Sequence, residues 1–129
     1  MRSIVASALA ASLLAAPGVA AAELASLAGS EWGFHDLKDV YVQFRSDGKV
    51  RGFAGCNRFM GAYAEGKGAL RIGPLATTRM MCKPSAMQVE QHILKILAET
   101  RQVKATHLVL TLEDDAGRVL ATLERRDFD

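Results

Sequence analysis

The sequence predicts a mainly β (α+β) domain: a small antiparallel, partly open β-barrel of hairpins with one amphipathic helix near residues 85–100. Three observations predict it. Apolar and polar side chains alternate over short runs, Gly-containing turns separate the runs, and a single stretch shows helical spacing. The chain has 129 residues, 50% hydrophobic and 23% charged, which is the composition of one folded domain. A formal net charge of +2 gives no reason to expect nucleic acid or a charged surface as partner.

Residues 1–22 stand apart from the domain. Arg2 precedes an uncharged Ala- and Leu-rich run from Ile4 to Ala16, Pro17-Gly18 breaks it, and Ala20-Ala21-Ala22 supplies small residues. This is the order of a cleaved signal peptide, with the mature chain starting at Glu23. The apolar run is too short to cross a membrane, so no membrane span is expected. With no Cys beside the cleavage site there is no lipobox. A periplasmic or secreted product is therefore expected, with residues 23–129 as the domain.

Elements follow in order. Leu24 to Gly29 is a short apolar turn leading to Glu31-Trp32-Gly33-Phe34, where Trp32, the single Trp, is a core anchor. Val40, Val42 and Phe44 alternate with Tyr41, Gln43 and Arg45, giving a half-buried strand. Asp47-Gly48 makes a hairpin turn, and the return strand runs from Val50 to Ala54. Gly61–Ala64 and Ala69–Ile72 form a second hairpin around Glu65-Gly66-Lys67-Gly68. Gly73-Pro74 is expected to end that strand before an extended stretch from Leu75 to Met80.

Ser85 and Gln88 read as a capping box behind Pro84. Ala86, Val89, Ile93, Ile96 and Leu97 then share one helical face, with Glu90, Gln91, Lys95 and Glu99 on the remainder. Leu108, Leu110 and Leu112 alternate into a turn at Asp114–Gly117, and Val119, Ala121 and Leu123 return. Successive hairpins must curl or be covered to hide their edges, so the helix is expected to close one side of a partly open barrel.

Cys56 and Cys82 are the two cysteines. In an oxidising compartment such a pair normally becomes a disulfide; two buried free thiols are the alternative.

The most informative stretch runs from Gly52 to Pro84. It holds Gly55-Cys56-Asn57-Arg58-Phe59, then Gly61 and Tyr63, then Gly73-Pro74-Leu75-Ala76-Thr77-Thr78-Arg79-Met80-Met81-Cys82. These residues, with Glu90 on the helix and the closing Leu108–Glu124 hairpin, resemble the META-domain family, also called HslJ-like. The resemblance spans nearly all of residues 23–129. It implies a lipocalin-like barrel with one helix, residence in the bacterial envelope and a stress-related or motility-related context. It brings no catalytic set. Members are often lipoproteins, from which the Ala-type cleavage site departs.

Physically the motif reads as a structural knot. Gly55 turns the chain, Asn57 caps local backbone with its amide, and Thr78 and Arg79 satisfy polar backbone nearby. Phe59 and Met80 are expected to fill the core beneath. Gly55, Asn57, Arg58, Gly61, Thr78, Arg79, Met80 and Glu90 are therefore structural residues in this reading.

Catalysis finds little support. His35, His92 and His107 are possible bases, but none sits in a recognisable motif, and a disulfide removes both thiol nucleophiles. Asp114-Asp115 is a turn former. Met60, Met80, Met81 and Met87, with the Cys and His residues, make a soft inventory for Cu(I), without the spacing of any dedicated site. No cofactor and no metal-ligand set are assigned. Tyr41, Arg45, Arg51 and Arg71 are exposed binding candidates whose plainer reading is solvated strand surface.

The expected function is thus a non-enzymatic envelope protein, a monomer, that supports stress tolerance through contacts with an envelope protein or the envelope itself. The alternative is a barrel binding a small ligand or copper.

Overall fold

The computed structural model describes residues 23–127, so the expected leader at 1–22 lies outside the described residues. Within them run β1 (Ser30–Phe34), β2 (Leu37–Phe44), β3 (Lys49–Phe53), β4 (Arg58–Gly66) and β5 (Ala69–Thr77). Then come α1 (Pro84–Glu99), β6 (Gln102–Ala105), β7 (Val109–Glu113) and β8 (Val119–Arg125). Each strand pairs antiparallel with the next, and β8 returns to β1, closing a barrel.

The lipocalin-like barrel is present, and it is closed where the sequence suggested a partial opening. Closure runs through a narrow seam. β5 meets β6 at one register pair, Ala69 with Gln102, flanked by Leu70 N–H to Arg101 O at 3.0 Å and Val103 N–H to Gly68 O at 2.8 Å. Beyond Ala69, β5 pairs with β4 alone on its strand-bonding edges, and α1 packs against it.

That arrangement explains why Gly73-Pro74 does not end the strand. A proline N adds no donor to a ladder, and β5 has a side with no ladder to serve here. The strand runs through the pair, which is joined by a cis peptide bond, to Thr77.

Inward side chains fill the barrel. Trp32, Phe44, Phe59, Leu70, Leu110 and Leu123 are almost fully buried, and Ile93 and Leu97 of α1 join the same core. Each such side chain contributes about 1.5–3 kcal/mol on burial. Trp32 keeps its polar end satisfied: Nε1–H donates to Ser30 Oγ at 2.7 Å, and that hydroxyl donates to Leu27 O at 2.5 Å.

The helix has the expected length but a different start. Lys83 is the N-cap, without a side-chain cap bond, and Pro84 occupies the first turn. Ser85 therefore lies inside the helix, and the capping box with Gln88 does not form. At the far end Thr100 Oγ1 donates to Ile96 O at 2.8 Å.

Candidate functional site

The motif residues converge where the end of β3, the start of β4, the connector after β5 and α1 meet. At its centre is the Asn57 side chain, buried, with every polar position used. Its Oδ1 accepts from Thr78 Oγ1 at 2.9 Å and from Met80 N–H at 2.6 Å. Its Nδ2 donates to Glu90 Oε2 at 3.0 Å and to Met80 O at 3.2 Å. An amide has two acceptor lone pairs and two donors, so this set saturates it.

Glu90 completes the knot. Its Oε1 also accepts the Asn57 backbone N–H at 2.5 Å. Helical spacing put Glu90 among the polar positions, yet it is buried, 6% exposed, facing the barrel wall. Among the described residues no Lys, Arg or His lies within ion-pair distance of it. A buried carboxylate held by charge-assisted bonds from neutral donors is costly to strand, so the two partners stabilise each other.

Cys56 and Cys82 form the disulfide, with Cα atoms 5.9 Å apart. Together with Asn57 it fastens the connector over the turn. The Cys56 Sγ also lies 3.4 Å from Met80 O. A disulfide sulfur carries no proton, so that is a contact and not a hydrogen bond.

Gly55 has φ +118, and a Cβ there would stand 3.0 Å from Val89 Cγ1 and 3.3 Å from Ala86 O. Both the backbone conformation and the close approach of α1 require glycine. At Gly61 a Cβ would meet Pro74 O at 2.6 Å, so its absence lets β5 lie close at the register shift in β4.

Several sequence expectations need correction. Asn57 caps no local backbone through its amide; it reaches 23 residues along the chain to Met80 and 33 to Glu90. Met80 does not fill the core, being 62% exposed, because its backbone rather than its side chain faces Asn57. Arg79 is exposed, and its side chain makes no hydrogen bond among the described residues. Thr78 does satisfy backbone, accepting from Arg58 N–H at 3.1 Å, and Arg58 directs its side chain to solvent.

The other candidates do not assemble. His35 Nδ1 lies 3.0 Å from Glu124 Oε1 on the surface, while His92 and His107 are exposed elsewhere. Asp114 makes its turn, accepting from Ala116 N–H and Arg118 N–H, each at 2.9 Å. Those bonds and the Arg118 guanidinium hold its carboxyl below the ordinary value of 3.8. Tyr41 lies under the Arg126 guanidinium at 4.9 Å, and Arg51 Nε donates to Gln43 Oε1 at 2.6 Å. Arg45 pairs with Asp47 at 3.3 Å, and Arg71 is exposed. Among the described residues no three His, Cys, Asp or Glu side chains gather as a metal site.

One anchor had no sequence signal. Glu65, in the second hairpin, accepts the Leu27 N–H at 3.0 Å on each oxygen and the Ser26 hydroxyl. It pins the segment before β1 across the seam, beside a cleft of about 680 Å³ that includes Val103, Lys104 and Glu113.

A filled, closed eight-stranded barrel, with one helix pinned to its wall by a buried Glu–Asn pair and a disulfide, defines a class of small β-barrel domain. The chain belongs to the META-domain family, whose model matches residues 22–127. Among solved structures it is similar to a protein from Burkholderia xenovorans determined by NMR. There the TM-score is 0.65 at 25% identity, over 79% of this chain and 85% of that one. A second NMR structure superposes with TM-score 0.56 at 27% identity, over 78% and 90% of the two chains. A crystal structure of a DUF4847 family protein from Bacteroides vulgatus shares the fold, with TM-score 0.53 and 16% identity over 73% and 64%. Comparison with curated proteins found no match.

Proposed function

We propose that this chain is a non-enzymatic protein of the bacterial envelope, exported by residues 1–22. It supports stress tolerance through protein or envelope contacts, as the resemblance to the heat-shock protein HslJ suggests. The observation that carries the reading is that the motif's chemical groups are spent on the fold. Both cysteines are in one disulfide and the Asn57 amide is saturated. The cysteines and the amide are thereby engaged in holding the fold at the place where the sequence is most distinctive, which supports a structural role for the motif. The disulfide also fits an oxidising compartment.

Intact mass of protein recovered from the periplasmic fraction, alkylated with and without reductant, tests this. A start at Glu23 with alkylation only after reduction is expected. Retention of residues 1–22, or two thiols alkylated without reductant, would overturn the exported, disulfide-held reading. A deletion strain is expected to lose viability on heat shift relative to its complemented parent; equal survival would remove the stress role.

Binding of a small ligand is favoured by one observation, the cleft at the seam. The barrel interior itself is filled by Trp32, Phe44 and Phe59, so under this second reading the ligand is to be sought at the seam rather than in a barrel mouth.

A further inference from the structure

The small net charge conceals a segregation. Residues 48–89 hold seven Lys or Arg and one acid, Glu65, while the other described residues hold eight bases and twelve acids. The first group is thus +6 and the second −4. Six of these bases sit on adjoining parts of the wall, namely β3, β4, β5 and the connector to α1, and the seventh, Lys67, lies in the β4–β5 turn. Among the described residues none of the seven makes an ion pair, whereas six of the other eight do.

Beside the disulfide the pole gains an apolar tip. Arg79, Met80, Met81 and Lys83 of the connector are all exposed, Met81 by 93%. Arg58 adjoins them, since its backbone exchanges bonds with Thr78 at 3.0 and 3.1 Å. Met60, 55% exposed, follows two residues along β4. Scattered apolar side chains on a surface are ordinary. Adjacent methionines set among unpaired cations, on a backbone fixed by a disulfide and Asn57, are a different arrangement.

We propose that this pole docks on an anionic phospholipid surface. The free guanidinium and ammonium groups meet headgroup phosphates, and Met80 and Met81 enter the boundary between headgroups and acyl chains. Each basic group near such a surface raises affinity about fivefold at moderate salt. Flexible thioethers adapt to a partner with no fixed shape, a fluid headgroup boundary included. Among the described residues no exposed large apolar side chain is an aromatic of the kind that anchors protein hot spots. The fixed backbone means that little is ordered on docking. The proposal deepens the envelope reading by naming the contact, and rests on it for the choice of partner.

The test is flotation of the purified protein with vesicles of phosphatidylcholine, with and without phosphatidylglycerol. Binding only to the anionic vesicles, weakening with salt, is expected. Arg79→Gln with Lys83→Gln should lower partition about 25-fold, Met81→Gln should lower it further, and Lys38→Gln should leave it unchanged. All are exposed, and circular dichroism checks that each variant folds. Equal binding to neutral vesicles, no binding, or no loss in the Arg79/Lys83 variant overturns the proposal. Capture on polyglutamate without capture on vesicles overturns it in favour of an acidic protein. Flotation does not depend on export, so its failure leaves the mass test of cleavage and disulfide intact.

Discussion

The β4–β5 hairpin is tied at each end to a distant segment through a carboxylate, Glu90 of α1 at one end and its own Glu65 at the other, and the two ties differ in burial. At the open end Glu90 is buried and its partners are the amide and backbone of Asn57, reinforced by the Cys56–Cys82 bond. At the turn end Glu65 is exposed and holds Leu27 N–H and the Ser26 hydroxyl. The bonds are of the same kind. Water can replace the second set and cannot reach the first, so burial decides which tie the fold depends on.

The largest effect should come from the covalent part of the buried tie. Replacing Cys56→Ser with Cys82→Ser is expected to lower unfolding free energy by about 3–4 kcal/mol, measured by urea titration. Asn57→Ala comes next, at about 3 kcal/mol, because it strands the Glu90 carboxylate and the Met80 N–H with the disulfide intact. Glu65→Ala should cost about 1–2 kcal/mol and raise hydrogen exchange at Leu27 N–H while leaving the knot protected. Equal costs for Asn57→Ala and Glu65→Ala would erase the distinction between the two ends.

The smallest effect is a pH dependence belonging to neither end. Asp114 titrates below its ordinary 3.8 because the folded turn donates to it, Arg118 N–H first. Its contribution to stability is present above 3.8 and is lost as the pH falls through the lower folded value. Asp114→Asn should flatten that part of the acid-unfolding curve; an unchanged curve would mean that the turn bonds survive protonation.

The two ends also differ in how well they could be read beforehand. The knot was visible because its residues cluster as a motif, and the cysteine pair followed from composition. Its wiring was not visible. Periodicity assigns Glu90 by neighbours on its own helix, and only a partner on another element makes burial favourable. Met80 and Arg79 show the converse, as a motif position does not say whether backbone or side chain is used: Met80 serves through its backbone N–H and O.

Among the strands, β2, β3, β7 and β8 carried alternation that could be recognised. β1 did not, since Trp32 and Gly33 are both buried in succession. Gly33 makes room for Arg126, whose Cδ would stand 2.5 Å from a Cβ there. β6 has four residues and none fully buried, so it gave no apolar signal, yet it closes the barrel. The Glu65 tie spans 38 residues through an exposed acid near the end of β4, which no local pattern marks.

The central claim is that the motif is a cooperative fold staple. A double-mutant cycle of Asn57→Ala and Glu90→Ala, followed by urea unfolding with the disulfide intact, tests it most directly. Because either substitution breaks the same buried unit, the two losses should overlap, with a coupling of about 1.5–3 kcal/mol. Losses that add to within about 0.5 kcal/mol would show that the two residues act independently, and would contradict the account.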